Sequence, residues 1–184
     1  KIPIMVKNPI NPDLDLWVGA IERLHLKGIE NIIAIHRGFS SYQKSIYRND
    51  PMWEIPIQLK LKLPEIPIIC DPSHITGRRD LLSLVSQKAF DLDMSGLMIE
   101  SHVTPDEAWS DSAQQITPEV LNELLSNLVL RNASATSLEQ LGFLEKMRTE
   151  IDALDENIIQ MFAKRMDVAK EIGRFKKENN ITIL

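Results

Sequence analysis

The chain has 184 residues, of which 43% are hydrophobic and 26% are charged, and its net charge is −5. This composition is typical of a globular protein with one core and room for a small second domain, and the negative charge argues against nucleic acid as a partner. No apolar run approaches the roughly 20 residues of a membrane helix, and a single cysteine, Cys70, excludes an intrachain disulfide framework.

The ends of the sequence carry further expectations. The chain begins at Lys1 without a methionine, shows no signal-like segment, and ends at Leu184 directly after a predicted helix. We therefore expect a cytoplasmic protein, and we expect these residues to be part of a longer chain.

Four short, almost entirely apolar runs predict β-strands that are buried on both faces of a sheet. They cover residues 2–6, 31–35, 67–70 and 96–99. Segments with apolar residues at helical spacing follow them, at residues 14–24, 56–63, 81–90 and 118–128. A strand followed by a helix, repeated four times, predicts an α/β fold with a parallel sheet.

The character of the sequence changes after residue 130. Residues 131–137 (RNASATS) are small and polar, which is typical of a linker, so we assign residues 1–130 and 138–184 to two different domains. From Leu144 to Phe175 apolar residues recur in steps of three and four, which predicts one helix of about 40 residues and ~60 Å. A single helix cannot bury such an apolar face, so we expect it to pack against a partner.

Chemically reactive side chains follow every predicted strand. They are Lys7, Arg37, Asp71, His74 and Glu100, with Asp111 on the loop after the fourth strand. In parallel α/β folds the carboxyl ends of the strands carry the functional site. Each residue taken singly also fits a solvated side chain or, for Asp71 before Pro72, a turn. Together they predict a metal- and phosphate-binding α/β enzyme.

Two groups within this set have distinct chemistry. His74, Glu100 and Asp111 form a mixed nitrogen and oxygen ligand set that suits Mn²⁺, Fe²⁺ or Zn²⁺. Lys7 and Arg37 follow adjacent strands and are suited to clamp a phosphate or a carboxylate.

Six segments, in this order, resemble the second half of a DAHP synthase (3-deoxy-D-arabino-heptulosonate 7-phosphate synthase) barrel. They are VKNP (6–9), IHRGFSSY (35–42), YRN (47–49), DPSHITGRRDL (71–81), GLMIESH (96–102) and WSDSAQQITPE (109–119). The resemblance implies the fifth to eighth strands of a (β/α)8 TIM barrel, and condensation of phosphoenolpyruvate with erythrose 4-phosphate. It also implies that Lys7 and Arg37 bind phosphoenolpyruvate and that Asp71 lies near the aldehyde of the sugar phosphate.

The same resemblance implies a divalent metal cofactor. His74, Glu100 and Asp111 would be its ligands, with Mn²⁺ as the first expectation and Fe²⁺, Zn²⁺ or Co²⁺ as alternatives. The family's remaining ligand, a cysteine on the first barrel strand, and its KPR-type loop after the second strand do not occur in this sequence. We expect Cys70 to be a buried core thiol instead.

The predicted long helix carries a charged residue, Arg165, where its apolar rhythm requires an apolar one. Lys176 lies within ~20° of the same face and ~16 Å further along the axis, so the two side chains are suited to bind a small dianion. Arg148 lies ~25 Å from Arg165, so the two serve one kind of site only if two chains run antiparallel. On the pattern alone, a coiled-coil helix with a snorkelling arginine is the alternative.

Residues 144–180 also resemble a known family, through R-x-x-I-D-x-L-D followed by the arginine on the apolar face and IG-x-x-K. They are similar to the first helix of the all-α chorismate mutases, which convert chorismate to prephenate. The resemblance implies an intertwined homodimer in which Arg148 reaches into the partner's site. Arg165 and Lys176 would bind the carboxylates and the ether oxygen of chorismate.

Our leading interpretation is a bifunctional DAHP synthase and chorismate mutase. One alternative is that the tail is a regulatory module that binds prephenate or chorismate. Another is a related sugar-acid phosphate synthase that uses a different aldose phosphate, and a third is a structural or interaction fragment. We expect the 184-residue chain by itself to be inactive in both reactions.

Overall fold

The computed structural model describes residues 2–131 and 137–182. They form two compact units, Lys1–Arg131 (the sheet unit) and Asn132–Leu184 (the helix unit). The predicted linker lies almost entirely in residues 132–136, outside the described residues.

The sheet unit alternates strands and helices as the sequence predicts. Its strands are β1 (Ile4–Lys7), β2 (Ile32–His36), β3 (Ile68–Cys70) and β4 (Gly96–Leu97). Its helices are α1 (Leu14–Leu26), α2 (Glu54–Lys62), α3 (Pro72–Thr76), α4 (Leu82–Asp91) and α5 (Pro118–Asn127), with short 3-10 turns at Arg79–Leu81 and Pro105–Glu107.

The four strands form one sheet in the order β1-β2-β3-β4, and every pairing is parallel. The register aligns Lys7 with Ile35, and His36 with Cys70. All four strands therefore end at the same edge of the sheet. The predicted parallel α/β fold is confirmed, and this edge brings the polar strand ends together.

The core lies between one face of the sheet and the helices. Ala34, Ile68 and Cys70 of the inner strands pack there with Trp17 and Ile21 of α1. A second, smaller cluster joins Leu82, Ile116 and Leu124. Burial of these side chains supplies the main stabilisation of the unit.

The prediction that every strand is buried on both faces is wrong for β1. Along β1, half-buried and exposed residues alternate, and Met5 is 53% exposed. Among the described residues β1 pairs with β2, and Met5 lies on the face opposite the helical core. Only the inner strand β2 comes close to burial on both faces, with Ile35 and His36 fully covered.

One short helix, α3, is absent from the sequence prediction. Asp71 caps it, because its side-chain oxygen accepts a hydrogen bond from the backbone N–H of His74, and Pro72 occupies the first turn. Gly77 ends it at φ 65°, a conformation that favours glycine. The Asp-Pro pair therefore begins a helix rather than an isolated turn.

The helix unit consists of one helix, α6 (Leu138–Glu178), of 41 residues. Ser137 begins it with a capping box: its hydroxyl accepts from the backbone of Gln140, whose side chain accepts from the backbone of Ser137. No residue of α6 that the structure describes is buried. The predicted long helix is confirmed. Its apolar side chains are exposed to solvent, for example Leu144 at 41% and Met161 at 63%.

Candidate metal centre

Three of the predicted ligands come together at the carboxyl edge of the sheet. One ligand atom from each of His74, Glu100 and Asp111 lies within 4.8 Å of the other two. The three side chains are partly buried rather than solvated, and they belong to three separate segments of the chain. The parallel sheet produces this convergence, because it aligns the segments that follow β3 and β4.

His74 is oriented by Asp71, which is only 1% exposed. The ring Nδ1 lies 2.9 Å from Asp71 Oδ2, while Asp71 Oδ1 accepts from the backbone N–H of His74 at 3.0 Å. Because a carboxylate only accepts hydrogen bonds, this contact selects the ring tautomer in which Nδ1 carries the proton and Nε2 is the atom open to a metal. That Nε2 lies 3.7 Å from Glu100 Oε1, so His74 presents the nitrogen that a metal requires.

Asp111 is held ionised by an arginine. Arg48 Nη1 donates to Asp111 Oδ1 at 2.6 Å, and this hydrogen bond holds the pKa of the Asp111 carboxyl below its ordinary value. The backbone of Asp111 has φ 51°, a left-handed conformation that is uncommon outside glycine. The loop therefore holds this carboxylate in a strained backbone conformation, which is a frequent feature of functional sites.

Glu100 is fixed by two neighbours. Its backbone N–H donates to Ser73 Oγ at 3.0 Å, and its Oε2 accepts from Gln114 Nε2 at 2.9 Å. Gln114 Oε1 in turn accepts from Arg48 at 2.9 Å. From the sequence alone, no role was assigned to Ser73, Gln114 or Arg48. All three lie inside the segments that resemble DAHP synthase, and this location is the sequence signal by which they could have been found.

The cationic side of the site is built from β1 and β2. Lys7 Nζ lies 3.4 Å from Asp71 Oδ2, which joins the predicted anion-binding lysine to the residue that orients the histidine. Asn8 is buried, donates to the carbonyl of Gly38 at 2.8 Å, and accepts from the backbone N–H of Arg37 at 2.7 Å. Asn8 thus positions Arg37, another role that sequence reasoning missed.

Arg37 has a buried Nε without a hydrogen-bond partner among the described residues. A buried donor in this state is costly, and an anionic ligand would satisfy it. The side chain therefore fits the predicted role in binding a phosphate or a carboxylate.

Two glycines allow the segment after β2 to lie close to the site. A Cβ at Gly38 would come within 2.7 Å of the carbonyl oxygen of Asn49, and one at Gly77 within 2.6 Å of Arg48 Cβ. Both glycines also have positive φ, at 76° and 65°. Any side chain at these positions would push the segment that carries Arg48 away from the metal ligands.

The ligand set fits a divalent metal. His74 Nε2, one oxygen of Glu100 and one oxygen of Asp111 provide one nitrogen and two oxygen donors, the mixture that Mn²⁺, Fe²⁺ and Zn²⁺ accept. Cys70 is fully buried in β3, and burial raises the pKa of its thiol well above the ordinary range. This burial confirms its predicted place in the core.

The residues predicted for the second site lie along α6. Arg165 borders an apolar groove formed with Leu154, Ile158, Met161 and Phe162. Lys176 lies near Ile172 and Phe175, further along the helix. Arg148 lies 3.6 Å from Glu145, a neighbour on the same exposed surface. The roles of Arg148, Arg165 and Lys176 in substrate binding stay predictions.

The fold and the site together define a parallel α/β protein of the barrel class, with a candidate metal-binding group at the carboxyl ends of its strands. Residues 1–136 match the family model described as the DAHP synthetase I family, and the chain belongs to this family. Residues 147–184 match the model described as chorismate mutase type II. The chain therefore joins a DAHP synthase segment to a chorismate mutase segment, as its sequence motifs predict.

Two known proteins resemble the sheet unit. The chain is 29% identical to the phospho-2-dehydro-3-deoxyheptonate aldolase of Thermotoga maritima over 126 residues, which are 68% of this chain and 37% of the relative. It is also 29% identical to the 2-dehydro-3-deoxyphosphooctonate aldolase of Vesicomyosocius okutanii over 90 residues, 43% of this chain and 31% of the relative.

Among solved structures, a crystal structure of the Thermotoga maritima DAHP synthase matches with a TM-score of 0.60 and 28% identity. The match covers 67% of this chain and 36% of that one. The chain thus spans well under half the length of each of these relatives.

Proposed function

We propose that the full-length protein condenses phosphoenolpyruvate with erythrose 4-phosphate to give DAHP, with a divalent metal, Mn²⁺ first, at His74, Glu100 and Asp111. The observation that carries the proposal is the convergence of these three ligands within 4.8 Å, beside two cations suited to an anionic substrate. The family membership of residues 1–136 supports the choice of reaction.

The roles of the residues follow from their contacts. A bound metal would polarise the aldehyde of the sugar phosphate or activate a water molecule. Lys7 and Arg37 would hold the phosphate and the carboxylate of phosphoenolpyruvate, which orients the donor carbon. Asp71, near the aldehyde end, would orient the His74 ring through Nδ1 and contacts Lys7.

We further propose that residues 138–184 form the first helix of a chorismate mutase domain, that residues 1–130 belong to the synthase, and that residues 131–137 link them. Two copies of the helix would pair through their exposed apolar faces in a homodimer. Arg165 and Lys176 would then bind chorismate together with Arg148 of the other copy. The site would hold the reactive conformer and stabilise negative charge on the ether oxygen.

None of the helices in the described residues is long and apolar enough to cross a membrane. The cytoplasmic location stays a prediction.

The first experiment measures phosphoenolpyruvate consumption by the full-length protein on addition of erythrose 4-phosphate, with and without a chelator. We expect consumption that the chelator removes and Mn²⁺ restores. Consumption that a chelator leaves unchanged would contradict the metal site, whereas no consumption with Mn²⁺ present would contradict the choice of substrates.

A second candidate is a synthase that acts on another aldose phosphate, because the chain also resembles a 2-dehydro-3-deoxyphosphooctonate aldolase. The same assay with arabinose 5-phosphate in place of erythrose 4-phosphate separates the two. The proposed function predicts a preference for the four-carbon sugar phosphate, and the reverse preference would establish the second candidate.

The role of the tail is tested by chorismate turnover. Conversion to prephenate by the full-length protein would support the mutase. Prephenate binding without turnover, together with a change in synthase rate, would instead indicate a regulatory module.

A further inference from the structure

Arg48 is placed to act on two metal ligands at once. It lies on the segment between β2 and α2. From the sequence alone, no function was assigned to this segment, because it is neither a strand end nor a source of metal ligands. Its Nη1 donates to Asp111 Oδ1 at 2.6 Å and to Gln114 Oε1 at 2.9 Å. Gln114, which is 1% exposed, donates from Nε2 to Glu100 Oε2 at 2.9 Å. One guanidinium thus reaches Asp111 directly and Glu100 through a single amide.

The chain of hydrogen bonds fixes the direction of the amide. Arginine is only a donor, so the atom of Gln114 that faces Arg48 must be its oxygen, and the NH₂ group must face Glu100. A carboxylate is only an acceptor, so this orientation satisfies both ends. Without Arg48, Gln114 loses one of the two contacts that fix its orientation towards Glu100.

Each ligand then has one atom held by the protein and one left available. Asp71 holds Nδ1 of His74, Arg48 holds Oδ1 of Asp111, and Gln114 holds Oε2 of Glu100. Nε2 of the histidine and the second oxygen of each carboxylate are the atoms that remain. Partners of this kind orient metal ligands and are a main determinant of affinity.

The backbone of Arg48 is tied to the third ligand as well. Its N–H donates to the carbonyl of Thr76 at 3.3 Å, and the side chain of Asn49 donates to the carbonyl of His74 at 2.6 Å. The close approach at Gly77 keeps the two segments together. Arg48 therefore sits on a segment that is docked against α3, the helix that carries His74.

We propose that Arg48 is a positioning residue that sets the geometry of the metal centre, acting on Asp111 directly and on Glu100 through Gln114. The inference rests on the metal site proposed above and adds residues to which that site assigned no role. The opposing reading is that Arg48 competes with the metal for Asp111, in which case its removal would tighten metal binding.

The test is Mn²⁺ binding to the full-length protein, measured by titration calorimetry and by the electron paramagnetic resonance spectrum of the bound ion, in the absence of substrates. Arg48→Gln should weaken binding by about 10- to 100-fold, as loss of an orienting partner typically does. It should also broaden the spectrum, because the ligands become heterogeneous. Arg48→Lys should recover only part of the affinity, since a single ammonium lacks the planar fork of donors.

Arg78→Gln is the matched control. Arg78 is a second arginine near the site, but it pairs with Asp80 at the surface and touches none of the three ligands. The same loss of charge there should leave Mn²⁺ affinity unchanged. Equal thermal stability of the variants would separate a change in the site from unfolding.

A double-mutant cycle tests the path through the amide. Gln114→Met keeps the volume and removes both hydrogen bonds, and it should weaken Mn²⁺ binding by itself. If Arg48 acts on Glu100 through Gln114, the double variant should lose less than the product of the two single losses. Fully multiplicative losses would overturn the path through Gln114.

The outcomes distinguish the two proposals. Failure of the wild-type protein to bind Mn²⁺, Fe²⁺, Zn²⁺ or Co²⁺ would overturn the metal site itself. Wild-type binding with unchanged or tighter binding by Arg48→Gln would leave the metal site standing and overturn the positioning role.

Discussion

In the sheet unit Asp71 is buried and contacts both Lys7 and His74, whereas in the helix unit Arg165 and Lys176 lie on a helix that has no buried residue among those described. The first arrangement is a site whose side chains are already fixed by neighbours. The second is a row of exposed side chains on one helix, with no other element of the described residues packed against them. The candidate metal centre is therefore assembled by segments within one unit, whereas the proposed mutase site would need side chains from a partner.

The largest expected effect separates the two units by function. His74→Ala in the full-length protein removes the only nitrogen ligand of the proposed centre, so DAHP formation should fall to less than about 1%. Chorismate conversion should be retained. Both rates are measured on the same preparation.

His102→Ala is the control for this change, because His102 lies on the loop after β4 and its ring accepts a hydrogen bond from the backbone N–H of Thr104 rather than facing the ligands. Loss of both activities in His74→Ala would show that the two units are not independent.

A substitution on α6 should have the opposite effect, with loss of chorismate conversion and retention of DAHP formation. Arg165→Ala should lower the rate of chorismate conversion by about 100-fold or more, because it removes a cation that would stabilise charge in the transition state. DAHP formation should be unchanged. Lys170→Ala is the control, since Lys170 lies near Asp167 on the same helix, about 140° around the axis from Arg165. An unchanged mutase rate in Arg165→Ala would exclude it from substrate binding.

A substitution on the apolar face of α6 tests the proposed pairing of two copies of this helix. Ile158→Asp should raise the dimer dissociation constant by about 100-fold or more, because an unpaired charge would be buried in the pairing surface. Sedimentation equilibrium measures this change. Thr149→Asp places the same charge about 180° away around the helix and should leave the dimer intact. A protein that is monomeric before any substitution would contradict the pairing.

A smaller effect concerns the stability of the sheet unit. His36 is fully buried against Trp17, Phe39 and Trp53, and burial lowers its pKa from 6.5 to about 3, with a smaller opposing contribution from the backbone of Pro51. The folded state therefore keeps the ring neutral while the unfolded state takes up a proton below pH 6.5. The free energy of unfolding therefore does not depend on His36 above pH 6.5, and it decreases as the pH falls from 6.5 towards 3.

The decline should approach about 1.4 kcal/mol per pH unit from this residue. Denaturant unfolding at a series of pH values measures it, and His36→Leu should show a correspondingly shallower slope between pH 6 and pH 4. Parallel slopes for the two proteins would mean that His36 is hydrated or ionised in the folded state.

Much of this architecture was accessible from the sequence. The apolar runs located all four strands to within two residues, and the apolar rhythm from Leu144 to Phe175 located α6. His74, Glu100 and Asp111 were predicted as one ligand set, and the structure brings them together. These predictions succeeded because periodicity reports burial and because parallel strands place their carboxyl ends side by side.

Other features depend on contacts between distant segments. Arg48 and Gln114 are separated by 66 positions, and no local pattern indicates that they share a hydrogen bond. The close approaches at Gly38 and Gly77 cannot be predicted from the sequence either, because a loop glycine can equally serve a turn without any close contact. The exposure of Met5 on β1 depends on which face of the sheet the helices cover, which composition does not reveal.

The sequence by itself determined which residue types stand at the strand ends, where the helices run, and that a charged residue interrupts the apolar face of α6. The tertiary structure decided which atoms of the ligands remain available, through the hydrogen bonds of Asp71, Arg48 and Gln114. The reason is physical: periodicity records whether a side chain faces a core, whereas the direction of a hydrogen bond exists only once two distant segments have been brought together.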